Sequence, residues 1–141
     1  MATHASRDTS TGLTFEQQVQ INRKDGEDIS KTKLKSFFAK RNINPLDYLS
    51  WMFQPDEAYY LKDTNEIVIY EKKFQQTPGS ADEKLGACAW KISEYKALCE
   101  AAGIDKVSYI YIFNDWFKQS RYAKLLQYIR STDGCDYTFM E

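Results

Sequence analysis

Apolar positions recur at helical spacing in four stretches of the chain and at strand spacing in four others. "TFEQQVQINRK" begins with the capping-box form T-x-x-Q and places Phe15 and Val19 one turn apart, which predicts a helix over 14–24. A second helix, over 31–41, sets Leu34, Phe37 and Phe38 on one stripe and its cations on the others. Pro45 then opens a short turn or helix through Tyr48, Leu49 and Met52. "EAYYL", "KDTN" and "EIVIYEKKF" read as strand, turn and strand of a hairpin. From Ser80, with a capping box to Glu83, a long helix carries Leu85, Cys88, Ile92, Tyr95, Cys99 and Ala102 on one stripe and stops at Gly103. A buried strand over 106–113, a helix over 120–131 and a final strand "DYTFM" complete the order. The helix over 120–131 turns Tyr122, Leu125, Leu126 and Ile129 inward. The fold class is α/β, a mixed sheet with helices on both faces, because strand, long helix and strand in succession imply a parallel crossover.

At 141 residues the chain is the size of one domain. Residues 1–12 read as a loose tail and 13–141 as the domain. No apolar leader and no run of 18 apolar residues is present, so a soluble, intracellular protein with no membrane association is expected. Cys88, Cys99 and Cys135 form no C-x-x-C pair, and an odd number of thiols fits a reducing compartment. Two of them lie on the long helix's apolar stripe, as core residues. A single histidine, His4 in the tail, excludes Ser-His-Asp catalysis, HNH-type chemistry and His-rich zinc sites. The formal net charge of −1 offers nucleic acid no bulk attraction, yet 31–41 holds Lys31, Lys33, Lys35, Lys40 and Arg41 with no acid among them.

Acids fall where a strand should be filling a core. Alternation along the second hairpin strand puts Glu71 and Lys73 on one side with Ile67 and Ile69, and Lys72 and Phe74 on the other. A turn centred between Asp63 and Thr64 makes opposed residues sum to 127, so Leu61 faces Glu66, Ala58 faces Ile69 and Asp56 faces Glu71. Two carboxylates about 5 Å apart at Cβ destabilise each other and call for a cation between them. Lys73 is one candidate, and Mg²⁺ or Mn²⁺ is the other, since such oxygen-only sites suit hard divalent ions. The same spacing also serves a plain structural acid–lysine pair. Other acids have local explanations: Asp63 and Asn65 suit a turn, Asp82 and Glu83 suit a helix start, and Glu16 sits in a first turn where the helix dipole favours it.

Pro55-Asp56, fourteen intervening residues and Glu71-Lys72-Lys73 resemble the P-D and E-x-K of the PD-(D/E)xK nucleases, the superfamily of restriction endonucleases, homing endonucleases, junction resolvases and repair nucleases. With "GLTFE" ahead of the hairpin and a long helix after it, residues 12 to 113 resemble that family's α-β-β-β-α-β core, with the phage and restriction-type branches most similar. The resemblance implies a Mg²⁺-dependent DNA endonuclease with Mn²⁺ as substitute. It implies that Asp56 and Glu71 bind metal with the Lys72 carbonyl, that Lys73 is the catalytic lysine, and that Glu16 holds a second metal or a metal-bound water. Gln75 matches a polar residue that contacts the attacking water or a phosphate. Site-specific cleavage of both strands implies a homodimer, because one active site cuts one strand. The nearest alternative is a junction-resolving or repair nuclease, and a different one is a non-catalytic DNA-binding module on this fold. Backbone contacts to DNA are expected from Lys31, Lys33, Lys35, Lys40 and Arg41, from the later cations Lys118, Arg121 and Lys124, and from the helix N-terminus at Ser80.

Overall fold

The computed structural model describes residues 12–50, 54–77 and 85–140. Ser80, the expected helix start there and Met52 lie outside these residues. Within them, α1 (Phe15–Asp25) is followed by β1 (Glu27–Asp28), α2 (Lys33–Ala39), β2 (Glu57–Leu61), β3 (Glu66–Lys73), α3 (Cys88–Ala101), β4 (Lys106–Phe113), α4 (Ala123–Ser131) and β5 (Cys135–Phe139). The strands form one sheet in the order β1-β2-β3-β4-β5. The first three run antiparallel, whereas β3, β4 and β5 run parallel. The chain is therefore α/β with a five-stranded mixed sheet flanked by helices.

The hairpin register is the one read from the turn: Leu61 faces Glu66, Ala58 faces Ile69, and Glu57 faces Tyr70 as the last pair. Asn65 takes the left-handed backbone conformation at φ 52°, which asparagine tolerates better than most residues. Its side chain accepts from the Tyr60 hydroxyl at 2.8 Å and donates to the Gly103 carbonyl at 2.8 Å, tying the turn to the end of α3. Register and turn together carry Glu71 to the end of β3 farthest from the turn, beside Tyr111 of β4.

Sheet faces divide the core unequally. On the larger side, Ile67 and Ile69 of β3 and Val107, Tyr109, Tyr111 and Phe113 of β4 pack under α2, α3 and α4, through Leu34, Phe37, Phe38, Ile92, Tyr95, Leu98 and Ile129 among others. All three cysteines are buried there, as the helical stripe implied for Cys88 and Cys99. On the other side Val68, Tyr70, Ile110 and Ile112 are covered by Val19 of α1, with Phe15 packed against them. The capping box forms as read: Thr14 Oγ1 accepts from the Gln17 amide at 3.0 Å, and the Thr14 amide donates to Gln17 Oε1 at 2.9 Å. Buried Asn22 donates to the Tyr70 hydroxyl at 2.9 Å, which fixes α1 on the sheet.

Two features were not legible in the pattern. β1 is two exposed polar residues, and what places it is Gly26, where an added Cβ would lie 2.6 Å from the Asn22 carbonyl oxygen and 2.9 Å from Tyr59 Cβ. α2 is shorter than 31–41, because Lys31 takes φ 54° and stands outside the helix, and the chain turns after Lys40 through Asn42 at φ 59°.

At the far edge of the sheet, β5 is closed by its own neighbours. The outward-facing Tyr137 amide donates to Asp136 Oδ1 at 2.8 Å, and the Tyr137 carbonyl accepts from Arg130 Nη2 at 3.0 Å. Arg130 also donates to Asp136 at 2.8 Å, and its guanidinium lies 3.9 Å from the Tyr137 ring centroid.

Candidate functional site

Glu71 and Lys73, two residues apart on β3, point to the same side of the sheet and meet at 3.7 Å between Lys73 Nζ and Glu71 Oε2. A second lysine, Lys91 from α3, comes within 3.8 Å of the same oxygen. Tyr109, one strand over on β4, lines the same cavity as Glu71, and its hydroxyl accepts from Lys91 Nζ at 3.5 Å. Glu71, Lys91 and Tyr109 border a cavity of about 120 Å³ walled also by Gln54, Pro55, Ile69 and Tyr95. Burial, and after it the Glu71 charge, holds the phenols of Tyr95, Tyr109 and Tyr111 well above the usual tyrosine range, so all three stay protonated at neutral pH.

Asp56 stands elsewhere. It occupies the bend just before β2, one step beyond the last ladder pair, and its side chain is exposed. It lines a larger cleft of about 630 Å³ together with Lys31, Lys33, Lys72, Tyr59 and Tyr70. The cleft and the Glu71 cavity adjoin: Tyr70 borders both, and one peptide bond joins Pro55 of the cavity to Asp56 of the cleft. The structure thus places Glu71, with Lys73 3.7 Å away, in one hollow and Asp56 with Lys72, Lys31 and Lys33 in another beside it, at the open end of the hairpin.

The cleft is electrostatically mixed. Lys33 pairs with Asp28 at 3.0 Å, and Arg23 pairs with Glu57 at 2.5 Å. Hydrogen bonds from Ser30, then from Lys33, hold the Asp28 carboxyl down at about 2. A carboxyl depressed on folding stabilises the native state above its unfolded pKa and loses that contribution as pH falls through the folded value. Asp28→Asn is therefore expected to make stability, measured by urea unfolding, fall less steeply than in the parent between pH ~4 and ~2. An unchanged slope would remove Asp28 from the acid response.

Remaining expected residues are spread around these hollows. Glu16 is exposed in the first turn of α1, on the sheet face opposite the one where Glu71 meets Lys91. Gln75 is clamped by its backbone: its amide donates to Asn114 Oδ1 at 3.2 Å and its carbonyl accepts from Asn114 Nδ2 at 2.7 Å, which prolongs the β3–β4 pairing past Lys73. Its side chain donates to the Thr77 carbonyl. Lys35 and Lys40 are exposed on α2 and its end. Arg41 lies over the Phe37 ring at 3.7 Å and donates to the Phe37 carbonyl at 3.1 Å. Lys118 pairs with Asp115 at 2.9 Å, Arg121 lies near the rings of Trp116 and Tyr122, and Lys124 is exposed.

Lys91 and Tyr109 had no motif to announce them. The only available signal was Lys91's position, one turn after Cys88 and one turn before Tyr95, on the margin of an apolar stripe that had to face the sheet. Comparison of the chain with family models, with curated proteins and with solved structures finds no match. Among the described residues no helix is long and apolar enough to cross a membrane.

Proposed function

We propose that the chain is a metal-dependent DNA endonuclease on a restriction-endonuclease-like core. The observation that carries this is the Glu71–Lys73 pair, 3.7 Å apart, with Glu71 in the wall of a cavity that Pro55 also borders. The element order is compatible with this reading: a helix, three antiparallel strands, the first only two residues long and followed by a short helix, then a long helix and a parallel strand.

Donor chemistry fits a divalent metal. Glu71 and the Lys72 carbonyl supply oxygen only, as Mg²⁺ and Mn²⁺ require, and would hold the ion, whereas Asp56 lies in the adjoining cleft and would join them only by crossing to the Glu71 cavity. When bound, it would neutralise charge on a phosphate and make a coordinated water a stronger nucleophile. The protein's own groups do the rest. Lys73 supplies an ammonium that neutralises developing charge at the phosphate and orients the attacking water. Lys31 and Lys33, at the mouth of the Asp56 cleft, are placed to neutralise flanking phosphates. Cleavage of both strands requires a homodimer or two successive visits.

Supercoiled plasmid incubated with Mg²⁺ is expected to convert to nicked and linear forms, and EDTA is expected to stop the conversion. A second reading, a DNA-binding module without cleavage, is favoured by the position of Asp56 in the cleft rather than in the Glu71 cavity. Band shifts with plasmid intact under both conditions would support that module and overturn the nuclease. Four-way junctions cut in preference to linear duplex would point to the resolving branch.

A further inference from the structure

Cys88 opens α3 and Cys135 opens β5, 47 residues later, yet the fold brings the two into contact. The Cys135 thiol donates to the Cys88 carbonyl at 3.7 Å, and both residues are fully buried. Gly134 sets this approach. It takes φ 90°, and a Cβ there would lie 2.9 Å from Ile92 Cγ1, one helical turn beyond Cys88, so glycine lets the start of β5 come this close to α3. Register against Tyr109 of β4 then holds Cys135 in place.

The three thiols are all buried, but their chemistry differs. Burial pushes Cys99, on the same apolar stripe of α3, up to about 12, as plain core packing does. Cys88 is instead held down at about 7: the Cys135 thiol beside it, and after that the Thr132 hydroxyl and the Ala89 amide, outweigh the cost of its burial. Cys135 is pushed up in turn, by Cys88 first and then by burial. At neutral pH a thiolate therefore forms at Cys88 next to a protonated thiol at Cys135, the state of a dithiol ready to be oxidised.

We propose that Cys88 and Cys135 are a reversible redox pair, which a hydroperoxide converts to an intramolecular disulfide joining α3 to β5. The Cys88 thiolate attacks one peroxide oxygen, the O–O bond breaks, and the departing oxygen takes up a proton as water or an alcohol. Cys88 is then a sulfenic acid. The Cys135 sulfur attacks it, the S–O bond breaks, and the hydroxyl leaves as water with the Cys135 proton. Two thiols are oxidised by two electrons and one peroxide is reduced by two. A dithiol reductant reverses the change by exchange. Gly86, two residues ahead of Cys88, is exposed, so local opening at the start of α3 admits a small oxidant. The inference is independent of the nuclease reading, since neither cysteine lines either hollow of the candidate site.

The test uses the full chain. It is treated with hydrogen peroxide, cleared of peroxide with catalase, unfolded in urea with an alkylating agent and read by mass spectrometry. Free thiols are expected to fall from three to one, with a digest that links the Cys88 and Cys135 peptides and carries the alkyl group on Cys99. Dithiothreitol is expected to restore all three. Cys99→Ser is expected to form the same link, and Cys88→Ser to keep both remaining thiols at peroxide doses that fully convert the parent. Cys135→Ser is expected to stop at the sulfenic acid, which dimedone traps on Cys88. The parent's own linkage map decides the matter even where a variant fails to fold. Three free thiols in a parent exposed to peroxide that oxidises glutathione in the same vessel would overturn the pair. So would a link to Cys99, a link between two copies, or an oxidised Cys88 that never joins Cys135.

Discussion

Lys73→Met is expected to leave the protein folded and to lower plasmid cleavage by roughly 10²–10⁴-fold, the range for a positioned proton-transfer or charge-stabilising group. The fold should persist because little of it depends on this side chain. Lys73 is the last residue of β3, its side chain is 29% exposed, and its ion pair is long at 3.7 Å. Pairs of that kind contribute at most about 1 kcal/mol. Its backbone register against Phe113 is untouched by the change, and Lys91 still neutralises Glu71. The informative comparison is Glu71→Gln, which removes the charge that both ammonium groups approach. That variant is expected to lose activity as well and to be the less stable of the two in thermal melts. Full cleavage by Lys73→Met would remove the lysine from the chemistry, and a melting temperature far below the parent's would recast Lys73 as a scaffold residue.

Phe113→Ala should be the most damaging change to stability, costing about 3–5 kcal/mol as large aromatic truncations in cores do. Phe113 is fully buried at the end of β4. Its ring stacks on Tyr111 at 5.4 Å, lies 4.5 Å from Phe117, and reaches Tyr137 and Phe139 of β5 at 6.1 and 6.2 Å. A domain of this size has about 5–15 kcal/mol in total, so the variant should melt roughly 10–20 °C below the parent. The consequence extends beyond stability. Phe113 is the register partner of Lys73, so the void opens under the strand end that carries the candidate lysine. Activity measured well below the melting temperature should therefore fall more than the folded fraction alone requires. Phe74→Ala serves as contrast: that ring is 44% exposed, and its loss should cost less than about 1 kcal/mol. Equal losses for the two variants would mean that the aromatic cluster does not behave as core.

What could be read from the chain was whatever local chemistry decides. The hairpin register followed from "KDTN", since one turn position fixes every pair in the ladder, and the structure has the register that sums to 127. The long helix and its buried cysteines followed from a stripe at spacings of three and four. β4 followed from an uninterrupted run of β-formers, which is what a strand covered on both faces looks like. β1 could not be read, because two exposed polar residues have no periodicity and their pairing depends on Gly26 fitting against Tyr59.

The site was legible in the same measure. Glu71 and Lys73 share a side because strands alternate, and that much needs no tertiary knowledge. Where Asp56 points could not be derived, since it falls on a bend beyond the regular ladder and alternation no longer governs it. Lys91 reaches Glu71, and Tyr109 borders the same cavity, only through the docking of α3 and the pairing of β4, contacts between segments far apart in the chain. Arg41 shows the converse: a cation in a basic run proves to lie over Phe37, a contact its own helix and the start of the turn create together.

The closure of β5 by Arg130 constrains how two copies of this molecule can associate. Strand-to-strand fusion across that border would have to strip a guanidinium from both a carboxylate and a main-chain oxygen before any new ladder formed. Among the described residues the opposite border offers only the two residues of β1, too few to seed an extended ribbon. If two copies act together on a duplex, as proposed above, contact through helices or loops would disturb less of this bonding than strand pairing at either described border.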